Sequence, residues 1–244
     1  VYEVGQSASA ELMDFLGVFQ PLAERSSDGK ALREKCFNHA DQNRSRYLSL
    51  AETDAFIMYA LSNAFSGNKD KGKELFLRFR KSYIKAFQKA KTLHDPEGDG
   101  LLNRTTGEEY VTFSEFRLFN AYLCIYAAML DAFCCINATS DRIDFGEFKK
   151  YYNNVLDHGF VGLSAGRTKR PSELYSEFDT DDSSQISYNE WCNYILKAEV
   201  KAGTELGKLM EEQKLAPAPK AGRSRAVLVE DVGGSGVEEE KKES

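Results

Sequence analysis

Apolar residues recur at helical spacing along most of this chain, which predicts an all-α fold. The first such stripe lies in residues 9–19 and consists of Leu12, Phe15, Leu16 and Phe19. We expect a leading amphipathic helix within residues 1–25 that ends near Pro21, because a proline removes a helical hydrogen bond. A second helix is expected from a cap at Asp28 to Ala40.

Residues 179–190, which read DTDDSSQISYNE, match the twelve-residue calcium loop of an EF-hand. Calcium takes six to eight oxygen ligands, and such a loop supplies them from positions 1, 3, 5, 7, 9 and 12. The predicted ligands are Asp179, Asp181, Ser183, the backbone carbonyl of Gln185, Ser187 through a water, and Glu190. The alternative is a polar surface turn, but the ligand spacing and the flanking apolar stripes favour a calcium loop.

Residues 41–52, which read DQNRSRYLSLAE, form a second loop of this type. Its predicted ligands are Asp41, Asn43, Ser45, the backbone carbonyl of Tyr47, Ser49 through a water, and Glu52. Two of these ligands are charged, and Arg44 and Arg46 add positive charge nearby, which weakens calcium binding. The sequence leaves open whether this loop holds calcium or only keeps the EF-hand shape.

Position 6 of both loops lacks the glycine that is usual there. Ser184 occupies it in one loop and Arg46 in the other. The chain turns sharply at this position, and a side chain costs about 1–2 kcal/mol if φ is positive. Serine is the better tolerated of the two, so residues 179–190 are predicted to be the tighter site.

Two further hands are degenerate. Residues 95–100 begin like a calcium loop, but the matching second half appears only at 110–115, after nine intervening residues, 101–109. The segment 137–147 is one residue short of a full loop. Neither segment is expected to bind calcium.

An apolar residue precedes each terminal glutamate of the four hands by four positions, at loop position 8. EF-hands associate through these residues, which form a short antiparallel bridge. We therefore predict two lobes, one joined by Leu48 and Val111 and the other by Ile143 and Ile186. The predicted domains are the leading helix at 1–25, a first EF-hand pair at 26–122, a second pair at 123–202, and a short helix with a low-complexity tail at 203–244.

Positive charge is concentrated in residues 69–91, which we expect to form one long helix. This segment holds nine Lys/Arg against Asp70 and Glu74, a net charge of +7 in a chain whose net charge is −6. The charge is either a solvated helix face or a patch for an acidic partner, such as a tubulin tail or anionic lipid. The acidic chain as a whole argues against general nucleic-acid binding.

Residues 115–136 are almost uninterrupted apolar sequence and approach the length of a membrane span. Asn120 and Asp131 lie inside this stretch, which favours a buried central helix shared by the second and third hands. The chain has five cysteines without a CxxC spacing, each in an apolar stretch, which indicates reduced intracellular thiols.

The run FSEFRLFNAYLCIYAAMLDAF, followed by a short third hand and then DTDDSSQISYNEW, resembles the calflagins, the flagellar calcium-binding proteins of trypanosomatids. The resemblance extends over roughly residues 30–200. It implies a helical four-hand protein of the flagellum, a calcium sensor tied to membrane. That family has an acylated N-terminus; the sequence begins at Val1, so a motif of this kind would precede it.

Two functions follow from these observations. One is a structural or calcium-responsive axonemal component that binds microtubule-associated assemblies; the other is a membrane-associated flagellar sensor that exposes an apolar groove. The hypothesis that the protein is an enzyme has no support, because the sequence shows no nucleophile–base constellation, phosphate loop or transition-metal cluster.

Overall fold

The computed structural model describes residues 8–91, 110–137 and 141–211. These residues form twelve α-helices and a short 3-10 helix, Ala165–Thr168. The helices are α1 Ala10–Ala23, α2 Ser27–Ala40, α3 Leu50–Ala64, α4 Lys69–Arg78, α5 Arg80–Lys91, α6 Phe113–Cys134, α7 Phe145–Lys150, α8 Tyr152–Leu156, α9 Val161–Ser164, α10 Pro171–Phe178, α11 Tyr188–Ala202 and α12 Glu205–Glu211.

Four short strands join the loops in pairs: β1 Tyr47–Ser49, β2 Tyr110–Thr112, β3 Arg142–Ile143 and β4 Ile186–Ser187. Strands β1 and β2 are antiparallel with Leu48 opposite Val111, and β3 and β4 are antiparallel with Ile143 opposite Ile186. All four of these side chains are fully or almost fully buried. The predicted pairings are therefore confirmed.

The helix α6 is the core of the fold. It runs without a break past residue 122, where the sequence placed the boundary between the two pairs. Helices α1, α2, α5 and α11 all pack against it. The helix is long and apolar enough to cross a membrane, but 89% of its most apolar stretch is buried within the fold. Burial on all sides is typical of the central helix of a folded domain.

The prediction of one helix over residues 69–91 is wrong. The segment forms α4 and α5, which are separated at Phe79. The Phe79 backbone leaves helical geometry at φ −94° and ψ 15°, while its ring is fully buried 4.4 Å from the ring of Phe15. Packing of this side chain takes precedence over helical continuity, a tertiary effect that helical periodicity does not reveal.

The helix α1 ends at Ala23, two residues after Pro21, so its predicted end near Pro21 is confirmed; Pro21 lies in the last turn, where the missing N–H removes a single helical hydrogen bond. The predicted cap of α2 needs correction. The cap of α2 is Ser26 and not Asp28, because the Ser26 hydroxyl accepts a hydrogen bond from the amide of Gly29.

The amphipathic stripe of α1 is completely covered by the first pair. Its five buried residues are Leu12, Phe15, Leu16, Phe19 and Leu22, each no more than 4% exposed. The ring of Phe15 contacts Phe79 between α4 and α5, and the ring of Phe19 contacts Phe56 on α3. The leading helix therefore belongs to the core and not to the surface.

A buried carboxylate, that of Asp131 on α6, fixes the start of α1. The Ser9 amide and hydroxyl donate to it at 2.9 and 2.5 Å, and the Arg78 guanidinium donates at 2.8 Å. Burial opposes the charge on Arg78, but the Asp131 carboxylate outweighs it and raises the pKa of Arg78. This cluster joins α1, the end of α4 and α6.

Helices α9 and α12 approach α11 closely because glycines face it. A Cβ on Gly162 would lie 2.3 Å from the Cβ of Ala198, and one on Gly207 would lie 2.4 Å from the carbonyl oxygen of Glu199. Residues 157–170 thus contain a packed helix, α9. The short helix predicted after residue 203 is α12, which buries Leu206 and Met210; the predicted low-complexity tail beyond it lies outside the described residues.

Removing the Asp131 carboxylate should destabilise the whole fold. We expect Asp131→Ala to lower the free energy of unfolding by about 3 kcal/mol, because the Arg78 charge and the Ser9 donors lose their partner. Urea unfolding measures the change. The control is Asp14→Ala, which removes the partly exposed ion pair with Lys71 and should cost no more than about 1 kcal/mol. Equal losses in both variants would contradict this account.

Candidate metal centre

Helices α10 and α11 hold the two ends of the loop 179–190. Asp179 caps the C-terminus of α10, and its amide donates to the carbonyl of Tyr175. At the other end Ser187 caps α11, and Glu190 completes a capping box with it. The first and last predicted ligands are therefore placed by helix ends.

Backbone amides fold the loop around the carboxylate of Asp179. Its Oδ1 accepts from the amide of Ser183 at 2.9 Å, and its Oδ2 accepts from the amide of Ser184 at 2.9 Å. Asp181 also accepts from the Ser183 amide, at 3.0 Å. The turn requires left-handed geometry at two residues, with φ of 54° at Asp182 and 61° at Ser184. The strain expected for the non-glycine at position 6 is therefore present.

Three carboxylates of the loop converge on one point. Ligand oxygens of Asp179, Asp181 and Glu190 lie within 4.8 Å of one another. Two oxygens bound to one calcium at about 2.3–2.6 Å are at most about 5 Å apart, so this spacing fits a calcium ion. The donors are all hard oxygens, with no cysteine or histidine among them, which also suits calcium.

The hydrogen bonds within the loop keep its carboxylates ionised. Burial opposes the charge on Glu190, but donors on Ser187 and Thr180 outweigh burial and lower the pKa of Glu190. Hydrogen bonds from Ser183 lower the pKa of Asp181. Both groups are thus anionic at neutral pH, the form that binds a cation.

The loop 41–52 repeats the same hydrogen-bond pattern. Asp41 accepts from the amides of Ser45 and Arg46 at 2.9 and 2.8 Å, and Asn43 accepts from the Ser45 amide at 2.8 Å. Left-handed φ angles occur at the same two positions, 57° at Arg44 and 67° at Arg46.

In each loop the predicted ligands at positions 5 and 7 are joined by a hydrogen bond. The Ser45 hydroxyl donates to the carbonyl of Tyr47, and the Ser183 hydroxyl donates to that of Gln185, each at 2.9 Å. Glu52 forms a capping box with Ser49 at the start of α3. Both loops thus share one pattern of internal hydrogen bonds; calcium binding by their predicted ligands remains a prediction.

The two loops differ in how the terminal glutamate is held. Glu190 also accepts from the amide and hydroxyl of Thr180 at loop position 2, at 2.9 and 3.1 Å. Position 2 of the other loop is Gln42, and its amide donates instead to the carbonyl of Ala40. The link between the first and last turns therefore closes the 179–190 loop more firmly.

The degenerate hands keep their helical ends. Glu147 in the short third hand accepts from the amide of Asp144 and from the side-chain amide of Asn137. Glu115 forms a capping box with Thr112 at the start of α6. The predicted half-loop 95–100 and the insertion 101–109 lie outside the described residues.

Sequence reasoning missed two residues that support the site. The Tyr175 hydroxyl lies 2.8 Å from the carbonyl of Ser184 and 3.2 Å from that of Ile143, so it links the two loops of the second pair. Trp191 stacks on Phe178 at 4.9 Å and donates to the carbonyl of Met129 at 3.0 Å. An aromatic residue directly beside each end of the loop is the signal that could have indicated Trp191.

Comparison with known families agrees with this geometry. Residues 20–123 match the model of the FCaBP EF-hand domain, that of the flagellar calcium-binding protein family. The match begins in α1, includes the loop 41–52 and both strands of the first pair, and ends within α6. The curated proteins contain no match to the chain. Residues 20–123 are thus similar to an EF-hand domain of the flagellar calcium-binding protein type, and this domain family binds calcium.

Glu190→Gln should abolish calcium binding at 179–190, because it replaces the carboxylate that can supply two ligand oxygens. Calorimetry should show the loss of the tighter binding event. Trp191, the single tryptophan, follows Glu190 directly, so calcium should change its fluorescence in the wild type but not in this variant. Unchanged calcium uptake in the variant would refute the assignment.

Arg46→Ser should strengthen binding at 41–52. The substitution removes a positive charge next to the cation and installs the residue found at the same position of the other loop. We expect a roughly fivefold gain in calcium affinity, because the substitution removes about 1 kcal/mol of electrostatic repulsion. Calorimetry in the Glu190→Gln background isolates this site. If the affinity for calcium equals that of the chain that keeps Arg46, the positive charge at loop position 6 does not limit calcium binding.

Proposed function

We propose that this chain is a calcium-binding structural component of the flagellum, in which four EF-hands, two of them degenerate, stabilise one rigid unit bound to microtubule-associated assemblies. The family supplies the calcium chemistry and the flagellar context. The observation that carries the structural role is the burial of α1 in the first pair.

An EF-hand sensor presents an apolar groove to a target when calcium opens its helices. In this chain the apolar face of the first pair already holds α1, which packs against α2, α3 and α6. The Phe19 ring contacts Phe56 on α3, and the Phe15 ring contacts Phe79 between α4 and α5. The buried contacts of Asp131 hold the start of α1 in place. Opening this face to a target would require all of these contacts to be lost, which favours a structural role.

The second pair is held to α6 in a similar way. The Tyr188 hydroxyl donates to the carbonyl of Tyr126 at 2.9 Å, and the Trp191 indole donates to that of Met129 at 3.0 Å. Both residues flank Glu190 at the start of α11. Calcium at 179–190 would therefore reinforce a helix that is already fixed.

Attachment to an acidic partner is proposed through the exposed basic residues of α4 and α5. From the sequence, the residues expected to make this contact are Arg78, Arg80, Lys81, Lys85 and Lys89. Two of them have partners within the fold: Arg78 binds the buried Asp131, and Lys85 lies over the rings of Tyr126 and Tyr188. Lys73, Arg80 and Lys81 are exposed. Lys81 contacts Asp141 at the surface, and an exposed pair of this kind is weak enough to exchange for a partner.

The alternative is a membrane-associated calcium sensor. It is favoured by two exposed apolar side chains, Met13 and Leu77, which are 54% and 58% exposed. They lie on α1 and on the basic helix α4, which the Lys71–Asp14 ion pair joins. Basic and apolar side chains together suit an anionic membrane surface.

A triple reversal of Lys73, Arg80 and Lys81 to Glu separates these possibilities. The control reverses Lys30, Lys35 and Lys197, which are exposed on other helices, so the change in net charge is the same. Binding is measured to detergent-extracted axonemes and to anionic vesicles over a salt series, since salt screens exposed charges over about 8 Å.

The structural proposal predicts that the wild type and the control bind extracted axonemes with and without calcium, and that the α4–α5 reversal does not. Loss of vesicle binding alone, with no axoneme binding by any variant, would favour the membrane sensor. Equal axoneme binding by the two triple variants would refute attachment through α4 and α5.

A further inference from the structure

A groove of about 820 Å³ lies between the end of α1, the middle of α6 and the helices α9 and α12. It is distinct from the calcium loops, and no part of the function proposed above uses it. Apolar side chains from four helices line it: Leu16, Ala121, Ile125, Val161, Leu206 and Leu209. Val161 is 43% exposed, an unusual degree for an apolar residue beside a concave surface.

Charges of both signs surround this apolar floor. Arg25, Arg117 and Lys208 contribute the positive side chains. Glu24 and Glu205 contribute negative ones, and Glu205 is paired with Lys208. An extended segment with an apolar centre and charged residues on both sides of it would suit such a groove.

The chain itself contains one segment of that composition. Residues 226–229, Ala-Val-Leu-Val, are the longest apolar run in residues 212–244. Arg223 and Arg225 precede the run, and Glu230 and Asp231 follow it. Leu215, the other large apolar residue between the last described helix and this run, stands near Pro217 and Pro219 without an apolar neighbour of similar size.

The connection to this segment starts at the groove. Residue 212 follows α12 directly, and Leu206 and Leu209 of α12 form part of the groove wall. The 14 residues between Glu211 and Ala226 span at most about 50 Å, so the run can reach the groove with ease. Covalent attachment over a connection of this length gives an effective concentration on the order of millimolar, so even weak intrinsic binding would fill the site.

We propose that residues 226–229 of the C-terminal tail bind in the groove between α1, α6, α9 and α12 as an intramolecular ligand. The tail then covers apolar surface that would otherwise face water and keeps other extended peptides out of the groove. Any partner that binds there must displace the tail, so the tail lowers the apparent affinity of that partner for the groove.

The test uses the full chain and two matched double variants. Val227→Asp with Val229→Asp places charges in the proposed ligand, and Val232→Asp with Val237→Asp makes the same change outside it. A labelled synthetic peptide of residues 222–232 is the probe, and its binding is followed by fluorescence anisotropy. Val161→Glu in the first variant background changes the groove itself; this side chain is exposed enough for the fold to be kept, which circular dichroism checks.

We expect the peptide to bind the Val227/Val229 variant at least tenfold more tightly than the wild type or the Val232/Val237 control, because the native tail competes in the last two. Addition of Val161→Glu should abolish that binding. Equal affinity for all chains, or no binding to any, would overturn the proposal. A wild type that sediments as a dimer while the Val227/Val229 variant is monomeric would also overturn it, since the tail would then occupy the groove of a second copy.

Discussion

The carboxylate of Asp131 is fully buried on α6, and this position is stable only while its donors on two other elements stay beside it. The requirement brings the start of α1 and the end of α4 to the same point on the central helix. From there α1 lies across the first pair, and α5 follows α4 and packs against α6. The placement of the first pair on α6 thus depends on one charged group that the apolar core could not otherwise contain.

The same helix connects the two calcium loops. Its first turn follows β2, which pairs with the strand of loop 41–52, and its carbonyls of Tyr126 and Met129 bind the start of α11. Loop 179–190 therefore lies against a helix whose other end carries the first pair. The helix α6 therefore links the two loops physically. Its hydrogen bonds to α11 stabilise a single arrangement of the two helices.

Much of the fold could be predicted from the sequence, because loop spacing and position 8 are local signals. Leu48 with Val111 and Ile143 with Ile186 are correct to the residue. The break at Phe79 could not be predicted, since the ring that packs against this side chain, that of Phe15, lies more than sixty residues earlier in the chain. The ion pair between Asp131 and Arg78 could not be predicted for the same reason. In the sequence Arg78 is one of many basic residues in its segment, and only the tertiary fold brings it to Asp131.

The candidate site was easier to predict than the way it is supported. Ligand types at fixed spacing identify Asp179, Asp181 and Glu190, whereas the Tyr175 contact to the Ser184 carbonyl depends on how α10 approaches two loops at once. Strain at Arg46 and Ser184 follows from their position in the loop, and the Asp carboxylate that accepts from their amides compensates for it. Local sequence thus defines the donors, and tertiary packing decides how rigidly they are held.

The central claim is that calcium stabilises an arrangement in which α1 already occupies the first pair. Amide hydrogen exchange of residues 10–23, followed in chelator and in saturating calcium, tests it most directly. We expect strong protection of α1 in both conditions, equal or higher with calcium, and no calcium effect in a chain that combines Glu52→Gln with Glu190→Gln. Loss of α1 protection on calcium binding, absent from that double variant, would contradict it, because α1 would then leave the apolar face as a sensor requires.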